Sequence, residues 1–291
     1  MRQEQLKILQ MLQEGKINVE EAATLLEAVG AAGFTASRPE DLPQLPQQPQ
    51  LASTDAGVDR TTQSPSASQA TTRSFRNGNF PEANFSNAQL DDADFEGANL
   101  WAADFTGASL RRANFRNAEL KEAKLSGAAL DGANFSGANL WAADLSGAQL
   151  TAAILQHTEM SETKLAGAQL SETDLTEAKL WATNLSRSDL HQADCRKVNA
   201  SEANLTGANL SEANFERAKL WAANLSDANL RRTNLRNAEL SEANLSGAQF
   251  YETDLEGAVL ASANLSGTNP KQANLHNANL REARLPTPSV A

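Results

Sequence analysis

From Phe75 to Leu285 an apolar residue recurs at every fifth position, with no insertion or deletion. Of the 43 positions numbered 75, 80, 85 and onward to 285, 30 are Leu and 9 are Phe, the exceptions being Met160, Cys195, Ala200 and Pro270. Two residues before each, the 41 positions from 83 to 283 hold 32 Ala, with Thr, Ser or Val in the others. A period of five advances about 140° per step around an α-helix and draws no stripe along it, so the region is not helical. What remains is Ala in, polar out, Leu in, a three-residue β-like alternation, followed by two residues that must turn the chain. Eleven of the 16 Gly fall at the second of those two positions, among them Gly107, Gly127, Gly147 and Gly247, where a corner favours a residue without a side chain.

A longer period sets the number of sides. The four tryptophans, Trp101, Trp141, Trp181 and Trp221, are spaced by 40, and so are Glu82, Glu122, Glu162, Glu202, Glu242 and Glu282. Forty is two circuits of 20 residues but not a multiple of the 15 that a three-sided coil needs. A 20-residue coil puts both series on one face, alternating coil by coil, each repeating at roughly 10 Å. The segments RRANFRNAEL (111–120) and RRTNLRNAEL (231–240) lie three such double coils apart. The expected fold is mainly β, a four-sided solenoid of ten to eleven coils and roughly 50 Å. Four buried Leu or Phe contribute on the order of 6 to 12 kcal/mol per coil, against about 20 to 40 kcal/mol for ordering its 20 residues. One coil cannot fold alone; stacking and the ladder between coils supply the rest, and the ends are the exposed places. Pro270 removes one ladder donor and Pro286 stops the repeat.

The run GANFSGANLWAADLSGAQL (132–150) and its neighbours resemble the pentapeptide-repeat family, whose signature is A(D/N)LXX, over about 211 of the 291 residues. The resemblance implies a right-handed quadrilateral β-solenoid with Ala and Leu or Phe turned inward. Departures are few: Ile154 and Val259 stand at the Asp/Asn position, and Cys195 through Ala200 weakens two consecutive core layers.

Ahead of the repeat the pattern changes. Leu6, Leu9 and Leu12 recur at helical spacing before Gly15, and Asn18 with Glu21 opens a second helix that carries Val19, Ala22, Leu25, Leu26 and Val29 and stops at Gly30. Two such helices bury little, so a partner surface is expected for Leu6, Leu9, Leu12, Leu25, Leu26 and Val29. The stretch EGKINVEEAATLLEA (14–28) resembles a SHOCT-like helical hairpin, which implies an interaction or oligomerisation module. Residues 31–72, with Pro39, Pro43, Pro46, Pro49 and Pro65 among Gln, Ser and Thr, read as a disordered linker. The predicted organisation is a hairpin at 1–30, a linker at 31–72, the solenoid at 73–285 and a disordered tail at 286–291.

Composition narrows the function. Fifty-two Ala and 38 Leu against 6 Val and 3 Ile exclude a parallel α/β sheet or a β-sandwich, which draw on β-branched residues. One Cys excludes an intramolecular disulfide framework and a Cys-rich metal site, and no cofactor is implied. With no signal-like start and no run of about 18 apolar residues, a soluble cytoplasmic protein without membrane insertion is expected. His157, His191 and His276 lie far apart in coil register, and no nucleophile, metal or phosphate motif occurs, so the chain does not read as an enzyme. The Asp/Asn rows follow from the repeat's backbone geometry, and Cys195 reads as a small buried hydrophobe.

Two readings stay open for the Trp row. Each indole lies over the Ala that follows it, a relic of double-coil duplication, or Trp101, Trp141, Trp181 and Trp221 with Glu122, Glu162 and Glu202 form an aromatic and acidic docking face for a protein partner or a second copy. Arg111, Arg112, Arg116, Arg231, Arg232 and Arg236 read as solvated charge, with a small anion patch as the alternative. The net charge of -11 argues against binding nucleic acid through phosphates. Some pentapeptide-repeat proteins mimic duplex DNA and act on type II topoisomerases. Residues 71–291, however, carry 20 Lys and Arg against 27 Asp and Glu, while about 50 Å of DNA carries about 30 negative charges. A non-enzymatic interaction or scaffold protein is the expectation, with self-association through the hairpin or the C-terminal coils and topoisomerase modulation as the alternative.

Overall fold

The computed structural model describes residues 73–286. The hairpin expected at 1–30, with Leu6, Leu9, Leu12, Leu25, Leu26 and Val29, the linker at 31–72 and the tail beyond Pro286 lie outside the described residues.

Parallel bridges join outward residues to those 20 positions later, beginning with Ser74 to Asp94 and ending with Asn264 to Arg284, with one gap at Gln249. Twenty residues per circuit are four pentapeptides, so the region is a quadrilateral β-solenoid. The regular corner is a hydrogen-bonded turn: the Ala103 N–H donates to the Leu100 carbonyl at 3.0 Å, and the same bond recurs along the chain, except that the corner after Phe250 lacks it and the one after Pro270 closes as a 3-10 turn. From Asn77 to Glu282, every second corner residue except Gln272 has φ between +52° and +73°. The first corner residue does not, which is the signature of a type II turn. Gly adopts this conformation freely, whereas Ala, Glu and Arg pay about 1–2 kcal/mol for it. Up to Ser262 they hold it because each such N–H also bonds a carbonyl of the next coil, as Asn77 does to Glu96 at 2.8 Å.

From Phe75 to Leu265 both inward positions of each pentapeptide are buried, except that Gly78 and Ala88 near the N-terminal end are only partly so. Phe75, Phe95, Phe115 and Phe135 stack in one column, with centroids 4.6–4.9 Å apart. The neighbouring column of Phe85 and Phe105 meets them edge to face. Inward hydroxyls are satisfied by backbone: Thr158 Oγ1 donates to the Leu155 carbonyl and Thr163 Oγ1 to that of Leu140, at 2.7 and 2.8 Å. Cys195, Val198 and Ala200 are all buried. Val198 stands in an Ala slot beside the two undersized residues and returns volume that Cys195 and Ala200 give up. The departures from the repeat at this place are thus closed off from solvent like the rest of the core.

The two ends differ. At the N-terminal end the Phe80 ring folds over Gly78, where an added Cβ would collide with it, and Phe75 and Phe80 are buried. The expected exposed core layer is therefore covered on that side. At the other end Leu275 and Leu280 are only half-buried and Leu285 is 53% exposed. Just before it, Pro270–Gln272 forms a short 3-10 helix. Gln249 and Asn269 make no bridge, and the Glu252 N–H bonds the Gln272 carbonyl, one residue beyond the regular partner. Register is regained at once by β1 (Thr253–Asp254) and β2 (Ala273–Asn274), which pair in parallel.

Candidate docking face

The Trp row follows directly from the register. Trp101, Trp141, Trp181 and Trp221 each occupy the first corner position after an inward Leu on the same side of the solenoid, and each is 37–43% exposed. The turn is held from both directions. The Trp141 N–H donates to Asn139 Oδ1 at 3.2 Å, and its carbonyl accepts the Glu122 N–H of the preceding coil at 2.9 Å. Glu162 bonds Trp181 and Glu202 bonds Trp221 in the same way, at 2.9 and 2.8 Å. Glu122, Glu162 and Glu202 thus stand on the coils between the tryptophans, with exposed side chains and φ of +58° to +60°. The geometry brings together all seven residues expected there.

The indoles also cover their neighbours. Ala102, Ala142, Ala182 and Ala222 are half-buried, whereas Ala152, at the equivalent corner position after Thr151, is exposed. Each Trp therefore shields the corner Ala with part of its ring and leaves the remainder to solvent. Between successive indoles lie Lys121, Ser161 and Ser201, so small side chains separate Trp141, Trp181 and Trp221. Two coils rise about 9.5 Å, judged from the stacked Phe column, which sets the spacing of the row. Beside it Lys179 Nζ pairs with Glu159 at 3.2 Å. Partial burial pushes the Glu159 carboxyl up, but hydrogen bonds from Ser161 and the Lys179 charge together hold it below the usual range. Chemically the face offers flat apolar rings at fixed intervals with carboxylates alongside, and no group positioned to move a proton.

The remaining candidates resolve into structure. Arg112 pairs with Asp92 at 2.7 Å, and Arg111 lies between Asp91 and Asp131 at 3.8 and 3.7 Å. Arg232 spans Glu212 and Glu252 at 3.8 and 2.8 Å, and Arg236 bonds Asp254 and Glu256 at 3.2 and 2.7 Å. These four guanidinium groups are each paired with carboxylates along the rod. Arg231 stacks on Tyr251, 4.8 Å from the ring centroid. Tyr251 escaped the sequence reading, although its place 20 residues after Arg231 was the available signal. The Asp/Asn rows serve the corners: Asn134 Oδ1 accepts the Ser136 N–H at 3.0 Å, and Asn234 Nδ2 reaches Asn214 Oδ1 one coil back at 2.9 Å. Burial pushes the Cys195 thiol up, away from reactivity. Among the described residues no group of His, Cys, Asp and Glu is placed to hold a metal ion, and no helix is long and apolar enough to cross a membrane.

Comparison with known proteins agrees with this geometry. A family model described as pentapeptide repeats matches residues 74–107, 102–137, 143–181, 183–221, 223–260 and 253–286. A model described as a SHOCT-like domain matches residues 3–33. No curated protein matches the chain. Among solved structures, HetL, a pentapeptide repeat protein involved in heterocyst differentiation regulation from the cyanobacterium Nostoc sp. strain PCC 7120, is 36% identical over 74% of this chain and 90% of its own, with a TM-score of 0.32. A trypsin-treated form of QnrB1, a plasmid-mediated fluoroquinolone resistance protein, is 18% identical over 58% of this chain and 85% of its own, with a TM-score of 0.44. A pentapeptide repeat protein from the thylakoid lumen of Arabidopsis thaliana is 30% identical over 38% and 66%, with a TM-score of 0.13. With most of the solenoid matched repeat by repeat, the chain belongs to the pentapeptide-repeat family and carries a SHOCT-like domain at its N-terminus.

Proposed function

We propose that this protein is a non-enzymatic scaffold: a rigid rod of ten to eleven coils whose Trp and Glu face docks a protein partner, joined through residues 31–72 to an N-terminal helical module that recruits or self-associates. The observation that carries the reading is the part-exposed, evenly spaced row Trp101, Trp141, Trp181 and Trp221 on one side of the solenoid. Large aromatic residues dominate binding energy where they meet a partner, and four in register make an anchor set. Among the described residues the inward positions are taken up by buried apolar side chains, which supports a role in presentation over one in catalysis.

The test is affinity capture with the full-length chain against Trp141→Ala with Trp181→Ala. Loss of the captured partner in the variant is expected, and unchanged capture overturns the docking face. DNA mimicry is the weaker reading, since Arg112, Arg232 and Arg236 thread positive charge along the rod. An equimolar supercoiling assay with a type II topoisomerase is expected to show no effect.

A further inference from the structure

The Trp row has a counterpart in the same chain. Pro43, Pro46 and Pro49 are spaced by three, in the run LPQLPQQPQLA from Leu42 to Ala52, which contains no charged residue. A polyproline II helix has three residues per turn and rises about 9.3 Å per turn, so every third residue falls on one edge, and these three prolines with it. The indoles repeat every two coils, at about 9.5 Å. The two periods agree to within a few tenths of an ångström over each step.

We propose that the segment Leu42–Ala52 docks as a polyproline II helix along the Trp row of its own rod, with Pro43, Pro46 and Pro49 seated against Trp141, Trp181 and Trp221. This deepens the docking-face reading and rests on it, and it assigns the face an occupant. Aromatic rows are the surface that proline-rich helices select, because the helix is pre-ordered and its rings stack on flat side chains. Ser161 and Ser201 leave room between these three indoles, whereas Lys121 fills the interval between Trp101 and Trp141. The intervening Gln44, Gln47 and Gln48 supply amide donors for the carboxylates of Glu162 and Glu202, and the neutral segment meets no like charge there.

The tether permits it. The 24 residues from Pro49 to Arg73 reach roughly 25 to 29 Å r.m.s. as a coil. Trp141 to Trp221 stand about 16 to 35 Å along the rod from Phe75, at about 4.8 Å per coil. A tether of this length holds the segment at about 1 mM, enough to engage a weak site and to give way to a stronger partner.

All four tryptophans of the chain are in the row, so tryptophan emission, excited selectively over that of Tyr251, reports on it alone. Acrylamide quenching is measured on the full-length protein, on Pro43→Ala/Pro46→Ala/Pro49→Ala, and on Pro46→Gln/Gln47→Pro, which keeps the proline number but breaks the three-residue phase. The quenching constant should rise roughly 1.6-fold in both variants, the change expected when a segment at about 1 mM with a Kd of about 1 mM covers three of the four indoles half of the time. A synthetic Leu42–Ala52 peptide at several times that concentration should restore protection to the triple-Ala variant. Equal quenching of the three full-length proteins overturns the proposal. If they are equal and the peptide still protects the indoles, only the tethered occupant falls and the docking face stands; if the peptide also fails, the face does not bind this chemistry at all. Protection that grows with protein concentration assigns the segment to another copy and overturns docking in cis.

Discussion

The backbone N–H of Glu162 donates to the carbonyl of Trp181 at 2.9 Å, while Glu162 itself sits at φ +60°. The acidic row and the aromatic row are thus the two sides of one corner bond, repeated every second coil. The position needs a left-handed conformation, and the carboxylate is free to serve the surface.

That separation can be tested at the corner. Glu162→Gln should leave stability within about 0.5 kcal/mol, because the exposed carboxylate does not hold the turn. Glu162→Val should cost about 1–2 kcal/mol, since a β-branched side chain is poorly tolerated at positive φ. Gly167→Ala, where an added Cβ meets nothing within 4 Å, should cost about 1 kcal/mol from φ +68° alone. Urea midpoints measured on the full chain check all three, and a loss with Gln as large as with Val would mean that the charge, not the backbone, fixes the corner.

The compensation at Val198 makes a double-mutant prediction. Val198 and Ala200 point inward from one strand and are both buried. Ala200→Leu alone should overpack that layer and cost about 1–3 kcal/mol, and Val198→Ala alone should leave a void costing about 0.5–1.5 kcal/mol. Together they restore the ordinary Ala and Leu pairing and should approach the parent stability, a favourable coupling of at least about 1 kcal/mol. Strict additivity would show that the two side chains do not share space.

Acid should weaken the rod. The hydrogen bond from Arg112 lowers the Asp92 carboxyl, that from Arg232 lowers Glu252, and that from Lys197 lowers Glu177. A carboxylate lowered in the folded state binds fewer protons than its unfolded counterpart, so its contribution is complete above the unfolded values of about 3.9 and 4.3 and is lost as pH falls below them. The urea midpoint should be flat between about pH 5 and pH 7 and drop below about pH 4. In Asp92→Asn/Glu177→Gln/Glu252→Gln that drop should shrink. These pairs are exposed, so the difference is modest and should shrink further in high salt. An acid limb unchanged by the triple variant would assign the loss to other groups.

What could be read from the chain was whatever the period dictates. The five-residue step places Leu100 inward and the 40-residue step puts Trp141 and Glu162 on one side, because both are consequences of counting. Local exchanges of volume and contact obey no period. Phe80 folds over Gly78 because no Ala stands there, and Val198, larger than the Ala it replaces, is buried in the same stretch as the undersized Cys195 and Ala200. The Arg112 and Asp92 pair lay 20 residues apart in plain view, but only the coil register turns that separation into contact.

Pro270 shows how far one such departure spreads. It takes the place of an inward Leu, and the chain responds with a 3-10 turn that shifts the Glu252 partner from residue 271 to Gln272 and leaves Gln249 unbridged to Asn269. The fault is confined to one side of one coil, since β1 and β2 pair in register immediately afterwards. Pro270→Leu should therefore recover a ladder bond, worth about 1 kcal/mol, and seat an apolar side chain below Phe250. Its benefit should appear as slower hydrogen exchange at Phe250 and Glu252 and in the half-buried last coil of Leu275 and Leu280, with residues before about 230 unchanged, because a solenoid passes stability only between neighbouring coils. Faster exchange there would mean that the 3-10 turn itself holds the end of the rod.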